Sequence, residues 1–283
     1  MTGVQTCALP ISNKTLRLGI TGPPGAGKST LTDQLIQRII SVGKSVGVVA
    51  VDPTSPFTGG ALLGDRVRMN HYIWDDNVFI RSMGSHGDLG GLARKAQDVG
   101  DVLAASGKDV VIFETVGVGQ GELDVAKAVD LTIVVLVPES GDEVQLMKAG
   151  LVEIADIFVV NKSDRQGADR LAQSLKSILH SITKKDHLEP PIYNTSADSN
   201  EGISELYKGL TDLTEVMVNK GLMNQKYLDR HRNRVLNLIQ DQLLGKFWTQ
   251  QRLDQLEDSV HNLSMTDESP YKVAKTLLDS ANE

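Results

Sequence analysis

The residue pattern with the most chemistry in this chain is a glycine-rich turn followed by a lysine and a serine. It fits G-x-x-x-x-G-K-S/T, with an apolar run before it and a helical pattern after it. Glycines let backbone N–H groups wrap a phosphate, and the helix start adds the positive end of its dipole. The sequence therefore predicts a phosphate-binding loop (P-loop) made of Gly22, Pro23, Pro24, Gly25, Ala26, Gly27, Lys28, Ser29 and Thr30.

Two side chains of this loop have predicted catalytic or metal roles. We expect Lys28 to be solvent-accessible and to reach the β- and γ-phosphates of a bound nucleotide. The Ser29 hydroxyl is expected to ligate Mg²⁺. Both roles need the loop to sit at the end of a strand, which the preceding apolar run supplies.

A second motif, N-K-S-D at residues 161–164, follows the apolar run Ile157–Val160. The Asp164 carboxylate can accept both the N1–H and the exocyclic N2–H₂ of guanine, and adenine offers neither donor in that geometry. Residues 196–198 follow the next run, where a backbone N–H can meet guanine O6. The bound nucleotide is thus predicted to be GTP or GDP, held by Asn161, Lys162, Asp164, Ser196, Ala197 and Asp198.

Acidic residues follow two further apolar runs. Glu114 ends Val110–Phe113, where P-loop enzymes hold the water shell of Mg²⁺, and the N–H of Gly117 can reach the γ-phosphate. Asp52 ends Val46–Val51 at the same predicted sheet edge and is a candidate Mg²⁺ carboxylate.

The glycine-rich segment after Asp52 is predicted to sense the nucleotide, with Asp65 on the γ-phosphate side. The predicted catalytic set is Lys28, Asp65, Glu114 and Gly117, and the predicted metal set is Ser29, Asp52, Asp65 and Glu114. Asp65 and Glu114 remain alternatives for ordering the attacking water.

The elements that must position these residues alternate between short apolar runs and helical patterns, which predicts a doubly wound, mostly parallel α/β sheet. Ligands then bind at the carboxyl ends of the strands. The predicted strands are Leu16–Thr21, Val46–Val51, Val110–Phe113, Leu131–Val137, Ile157–Val160 and Ile192–Asn194. The predicted helices are Ser29–Ser41, Leu89–Ala105, Gly121–Ala128, Val144–Ala149 and Arg170–His180.

The connection after the P-loop helix adds information about topology. It leads directly into Val46–Val51, with no long loop or hairpin between them. This direct crossover favours an all-parallel sheet, as in the signal-recognition-particle/MinD class of P-loop proteins, over a Ras-like sheet.

Composition excludes several functional classes. The 283 residues carry a net charge of −7, which disfavours a general nucleic-acid or anionic-membrane binder. A single cysteine excludes an intrachain disulfide framework or a cysteine-rich metal site. The longest aliphatic run is far shorter than a membrane span needs, so a cytoplasmic protein is expected.

The two ends of the chain differ from the middle. Residues 1–13 carry almost no strand or helix pattern and are predicted to be a non-native or disordered leader, before a GTPase domain over 14–220. Residues 221–283 show only helical spacing, which predicts a tail that either packs on the sheet domain or mediates dimerisation. A helix is predicted to begin at Ser269-Pro270. The charged run Arg230–Arg234 is expected to be a solvated or intersubunit face, and Trp74 a packing residue.

Five segments together resemble the MeaB/ArgK family of GTPases over roughly residues 14–220. They read LGITGPPGAGKSTL, VAVDPTSPFTGGALLGDRVRM, FETVGVGQGE, VPESGDEVQLMKAG and VVNKSD. The resemblance implies a GTP-hydrolysing chaperone that gates adenosylcobalamin loading to, or protection of, methylmalonyl-CoA mutase. It also implies a third mobile loop at Gly141–Lys148 and homodimerisation through the C-terminal helices. An amino-acid-transport ATPase or kinase and a metal-insertion GTPase remain alternatives.

Overall fold

The computed structural model describes residues 15–52, 72, 74–84, 93–115, 121–139, 150–182, 188–261 and 269–280. The chain forms two compact units, which meet in sequence between Arg230 and His231. The predicted leader over 1–13 and the predicted helix Val144–Ala149 lie outside the described residues, as do the Gly141–Lys148 loop and the first residues of the predicted helix Leu89–Ala105. The predicted domain boundary after residue 220 stays a prediction.

The first unit is built on a seven-stranded sheet in which every described strand pairing is parallel. The order across the sheet is β3-β2-β4-β1-β5-β6-β7. The all-parallel, doubly wound α/β fold predicted from the direct crossover is therefore confirmed. The strands are β1 (Leu16–Thr21), β2 (Val46–Asp52), β3 (Val78–Gly84), β4 (Val110–Glu114), β5 (Leu131–Leu136), β6 (Ile157–Val160) and β7 (Ile192–Asn194).

Helices cover both faces of this sheet, and further helices follow it toward the C-terminus. They are α1 (Lys28–Ser41), α2 (Ala93–Ala105), α3 (Gly121–Ala128), α4 (Leu151–Ile154), α5 (Ala168–Ile182), α6 (Ile203–Asn219), α7 (Leu222–Phe247), α8 (Gln250–His261) and α9 (Pro270–Asp279).

The core explains why the central strands are continuously apolar. One set of strand side chains packs against α1 and α6, for example Ile20 and Ile112 against Leu35. The alternate set packs against α2 and α3, where Phe113 contacts the same cluster as Val125. Because both faces are covered by helices, every residue of β4, β5 and β6 is buried.

The edge strand β3 was not predicted from the sequence. Its residues alternate, with Val78 buried in the core on the α1 face and Phe79 48% exposed on the other. A strand at the edge of a sheet, with one face half open, does not produce the continuous apolar run by which the other strands were recognised. Trp74, just before this strand, is 93% exposed, so its prediction as a packing residue is wrong.

Ion pairs stand at the amino end of the sheet, the end opposite the P-loop. The Asp130 carboxylate accepts a hydrogen bond from the backbone N–H of Arg17 and pairs with the Arg230 guanidinium, and both charged side chains are buried. One helical turn earlier, Lys226 donates to both carboxylate oxygens of Asp156, at 2.6 and 2.7 Å. The expectation of a solvated face is therefore wrong for Arg230, which is fixed to the start of β5.

The second unit consists of the later part of α7 with α8 and α9. As predicted, α9 begins at Ser269-Pro270, where the Ser269 hydroxyl accepts a hydrogen bond from the Lys272 N–H. Arg252 donates to the carbonyls of Phe247 and Ser280, which ties α8 to the end of α9. Among the described residues, no helix has the length and apolar character needed to cross a membrane.

Candidate nucleotide-binding site

The P-loop joins the carboxyl end of β1 to the start of α1, at the position that the sequence predicted. Gly22 has a φ of 137°, and a Cβ there would lie 2.0 Å from the Val135 carbonyl oxygen. Gly27 has a φ of 82°, and a Cβ there would lie 2.5 Å from Nδ2 of Asn161. Both positions therefore require glycine, because a side chain would meet the end of β5 at Gly22 or Asn161 of the N-K-S-D motif at Gly27.

Lys28 is the first residue of α1 and lies inside the loop. Its ammonium group donates to the carbonyl oxygens of Gly22, at 2.9 Å, and Pro23, at 3.0 Å. The residue is only 6% exposed, so the expectation of a solvent-accessible lysine is wrong. The loop's own carbonyls draw the ammonium group inward, which holds its charge next to the backbone that would surround a phosphate.

Ser29 and Glu114 come together across the gap between α1 and β4. The Ser29 hydroxyl donates to Oε1 of Glu114 at 2.6 Å, and Glu114 is 2% exposed. A hydroxyl and a carboxylate oxygen at a helix start are the hard oxygen donors that Mg²⁺ prefers. These two residues fit a magnesium site of the kind that the sequence suggested.

The structure describes the other residues of the predicted metal and catalytic sets only in part or not at all. Asp52 ends β2, two residues beyond Ala50, which pairs with Glu114, but its side chain is not among those described. Asp65 and Gly117 lie outside the described residues. Their predicted roles stay predictions.

The N-K-S-D motif at residues 161–164, called the guanine motif below, is hydrogen-bonded directly to the P-loop. Asn161 donates through Nδ2 to the Ala26 carbonyl at 2.9 Å, and Lys162 donates through Nζ to the Gly25 carbonyl at 2.8 Å. Lys162 adopts a φ of 56°, an uncommon value for a non-glycine residue that costs of order 1–3 kcal/mol. The two hydrogen bonds make the phosphate and base ends of the site one connected structure.

The loop after β7 closes the other side of the guanine motif. Oδ1 of Asn161 accepts from the Thr195 hydroxyl and from the Ala197 N–H, both at 3.1 Å. The Ser196 hydroxyl donates to Oδ1 of Asp164 at 2.9 Å. Asp164 is exposed, whereas Asn161 is buried. Asp164 is thus held at the surface by a buried serine, while the Asn161 side chain joins the P-loop to the loop after β7.

Two residues near this site were missed by the sequence analysis. Thr195 is fully buried and supports Asn161, and nothing in a lone threonine distinguishes it beforehand. Arg165 follows the motif and pairs with Glu139, just after β5, at 2.6 Å. The Arg165 guanidinium holds the pKa of the Glu139 carboxyl below its usual range. The hydrogen bond to Glu139 in turn raises the pKa of Arg165, and the charge of Asp198, an exposed residue predicted to bind the nucleotide, adds to that rise.

The geometry and the fold define the class of protein. Three features lie together at the carboxyl ends of the parallel strands. They are a P-loop whose lysine faces the loop interior, a Ser29–Glu114 pair that fits Mg²⁺, and an N-K-x-D loop hydrogen-bonded to the P-loop. These are the parts of a P-loop GTPase.

Sequence comparison identifies the family. The profile described as "Methylmalonyl Co-A mutase-associated GTPase MeaB" matches residues 4–252, so the chain belongs to this family. The chain is 44% identical over 272 residues to a Pyrococcus abyssi protein named as a GTPase, covering 95% of this chain and 84% of that protein. It is 41% identical over 221 residues to the GTPase ArgK of Escherichia coli, covering 77% and 67%.

A solved structure supports the same assignment. The crystal structure of an LAO/AO transport system kinase matches with a TM-score of 0.68 and 29% identity, covering 97% of this chain and 84% of that one. This protein is accordingly a GTPase that binds guanine nucleotides, with the predicted family confirmed.

Among the described residues, no group of three or more His, Cys, Asp and Glu side chains stands together as a possible metal site. The Ser29–Glu114 pair does not need such a group, because Mg²⁺ in nucleotide sites keeps several waters and binds few protein carboxylates.

Proposed function

We propose that this GTPase gates the loading of adenosylcobalamin into a methylmalonyl-CoA mutase, or protects that mutase. The observation that carries the proposal is the family match over residues 4–252, whose description names association with the mutase. The connected phosphate and base ends of the site support it, because they give the protein a nucleotide-dependent state to communicate. The partner itself is inferred from the family.

The chemistry of hydrolysis in this class is largely positioning and electrostatics. Lys28 would stabilise negative charge on the β- and γ-phosphates, and Asp164 would accept the guanine donors. Ser29 and Glu114 would hold Mg²⁺, which supplies positive charge that offsets the charge of the phosphates when it is bound. Glu114, Asp52 and Asp65 remain the candidate carboxylates for the metal waters and the attacking water.

We expect slow GTP turnover by the isolated protein and at least tenfold faster turnover with the mutase. The P-loop and residues 114–121 contain no arginine to stabilise the transferred phosphoryl group. A partner that completes such a site can accelerate phosphoryl transfer by 10³–10⁵ in favourable cases. The measurement is phosphate release at saturating GTP, with and without purified mutase, together with co-purification of the two proteins in GTP and in GDP.

Rapid GTP turnover by the isolated protein, unchanged when the mutase is added, would contradict the proposal that the mutase controls hydrolysis. An arginine of this chain would then complete the site, and Arg66 and Arg68, outside the described residues, would be the first to replace. Arg81 is a weaker candidate. It is exposed and alternates with Ser82, so it lies on the opposite face of β3 from the residues aligned with Glu114.

We propose further that residues 231–283 mediate homodimerisation. This unit exposes an unusual number of large apolar side chains, and its helix α8 has no buried residue. Six on the part of α7 in this unit are more than 40% exposed, namely Val235, Leu236, Leu238, Ile239, Leu243 and Leu244. Burying one such side chain contributes about 1.5–3 kcal/mol, so a second copy offers a large gain.

We expect Leu243→Asp to weaken the dimer at least tenfold, because Leu243 is 63% exposed and a charge cannot be buried there. Sedimentation velocity over a concentration series measures the dissociation constant. Gln242→Glu, an exposed neighbour, is the matched control for added charge. A monomeric wild type, or an unchanged dimer in Leu243→Asp, would refute this assignment of the interface.

An ATP-dependent transport kinase is the alternative that the name of the matched crystal structure raises. The Asp164 carboxylate disfavours it, because adenine has no donor pair for that group. Equal turnover of ATP and GTP would favour the kinase.

A further inference from the structure

The row of residues across the sheet at Glu114 contains a second polar side chain. Strand register aligns Ser82 on β3 with Ala50 on β2, Ala50 with Glu114 on β4, and Glu114 with Ile20 on β1. Residues aligned across parallel strands point to the same face. That face is the α1 side, since Ile20 packs with Leu31 and Leu35 of α1, and Glu114 accepts from Ser29.

Ser82 has a buried hydroxyl without a hydrogen-bond partner among the described residues. A buried hydroxyl left unpaired is destabilising, so such groups are normally hydrogen-bonded to protein or to an ordered water. On this row, Glu114 is the neighbouring side chain that can accept a hydrogen bond, because Ala50, Ile20 and Ile133 are apolar.

The Ser82 hydroxyl makes no direct hydrogen bond to Glu114, and strand β2 lies between the two residues. Neighbouring strands lie about 4.8 Å apart, so the two backbones are separated by about 10 Å. Ala50, whose side chain is a single methyl group, is the residue between them on this row. A single water can hydrogen-bond two polar atoms about 5.5 Å apart, a separation longer than a direct hydrogen bond and shorter than the spacing of the two backbones.

We propose that Ser82 is a positioning residue of the magnesium site, where its hydroxyl holds a water that hydrogen-bonds to Glu114. The water would fix the orientation of the carboxylate that faces Ser29. Ser82 would act through Glu114, without contact to the nucleotide. The inference rests on the proposed role of Glu114 as a magnesium-shell residue.

The first test is Ser82→Ala, which removes the hydroxyl without adding bulk. We expect the Mg²⁺ concentration for half-maximal binding of a fluorescent GDP to rise about fivefold, and GTP turnover at low Mg²⁺ to fall by a similar factor. Ala50→Val should have the same effect by filling the space for the water. Ser82→Thr keeps the hydroxyl and should restore wild-type behaviour.

Two controls separate this role from general destabilisation. Ser106→Ala removes a hydroxyl that bonds the Leu103 carbonyl far from the site and should leave Mg²⁺ dependence unchanged. Glu114→Gln tests the role on which the inference rests. An unchanged Mg²⁺ dependence in Glu114→Gln would remove that role, whereas a change there with none in Ser82→Ala would overturn the inference about Ser82 alone.

A crystal structure of the wild-type protein with GDP and Mg²⁺ provides a readout that does not depend on variants that fold. A water within hydrogen-bond distance of both Ser82 Oγ and Glu114 is expected. A dry space, or a Ser82 hydroxyl bonded elsewhere, overturns the proposal.

Discussion

Asp164→Asn is expected to convert the protein from a guanine to a xanthine nucleotide binder. Asparagine presents an N–H where the carboxylate accepted from guanine, and xanthine has a carbonyl where guanine has its amino group. Hydrogen bonds to charged groups contribute about 1.5–3 kcal/mol each, so loss of the two bonds weakens GTP at least tenfold and up to about 10⁴-fold. Competition of GTP and xanthosine triphosphate against a fluorescent GDP measures the change in preference.

The structure indicates that the loop around residue 164 tolerates this substitution. Ser196 donates to Asp164 at 2.9 Å and can turn its hydroxyl to the amide oxygen of an asparagine, so the loop should keep its shape. Asp169→Asn, on the exposed surface of α5, is the matched control and should leave the GTP preference intact. Equal binding of ATP and GTP by the wild type would show that Asp164 does not select the base.

Lys28→Ala is expected to reduce GTP hydrolysis by at least about 10²–10³, the loss seen when one charge-stabilising group of a transition state is removed. Phosphate release at saturating GTP and Mg²⁺ measures the effect. Lys44→Ala, an exposed loop lysine, is the control for loss of one positive charge and should turn over normally.

The same substitution is also expected to loosen the P-loop, because Lys28 is buried inside it. Its ammonium group joins two carbonyls of the P-loop, so alanine also removes two internal hydrogen bonds. The sheet core does not depend on them, and circular dichroism should show an intact fold. Hydrolysis at the wild-type rate by a folded Lys28→Ala protein would remove the P-loop assignment.

Much of the site could be predicted because it consists of short motifs of contiguous residues. The P-loop and N-K-S-D motifs each place several chemically distinct side chains at fixed spacing after a buried strand. Those strands were recognisable because both of their faces are covered, which requires consecutive apolar residues. The edge strand β3 has one half-open face and therefore lacked that signature.

Features that depend on distant residues could not be predicted. Lys28 is buried because its own loop carbonyls attract it, and Arg230 is buried because Asp130 lies at the start of a strand far away in sequence. The alignment of Ser82 with Glu114 depends on the register of three strands. Sequence spacing within one element carries no information about register between elements.

The central place of β1 has a consequence for synthesis of the chain. β1 pairs with β4 and β5, which end at Glu114 and Leu136, whereas β2 and β3 can pair with each other much earlier. On a translating ribosome, both edges of β1 stay unpaired while about a hundred further residues emerge. Unpaired strand edges attract other chains. The central strand of the nascent protein is therefore open to pairing with other chains through that interval, and the contact of Gly22 with the Val135 carbonyl cannot form before β5 has been made.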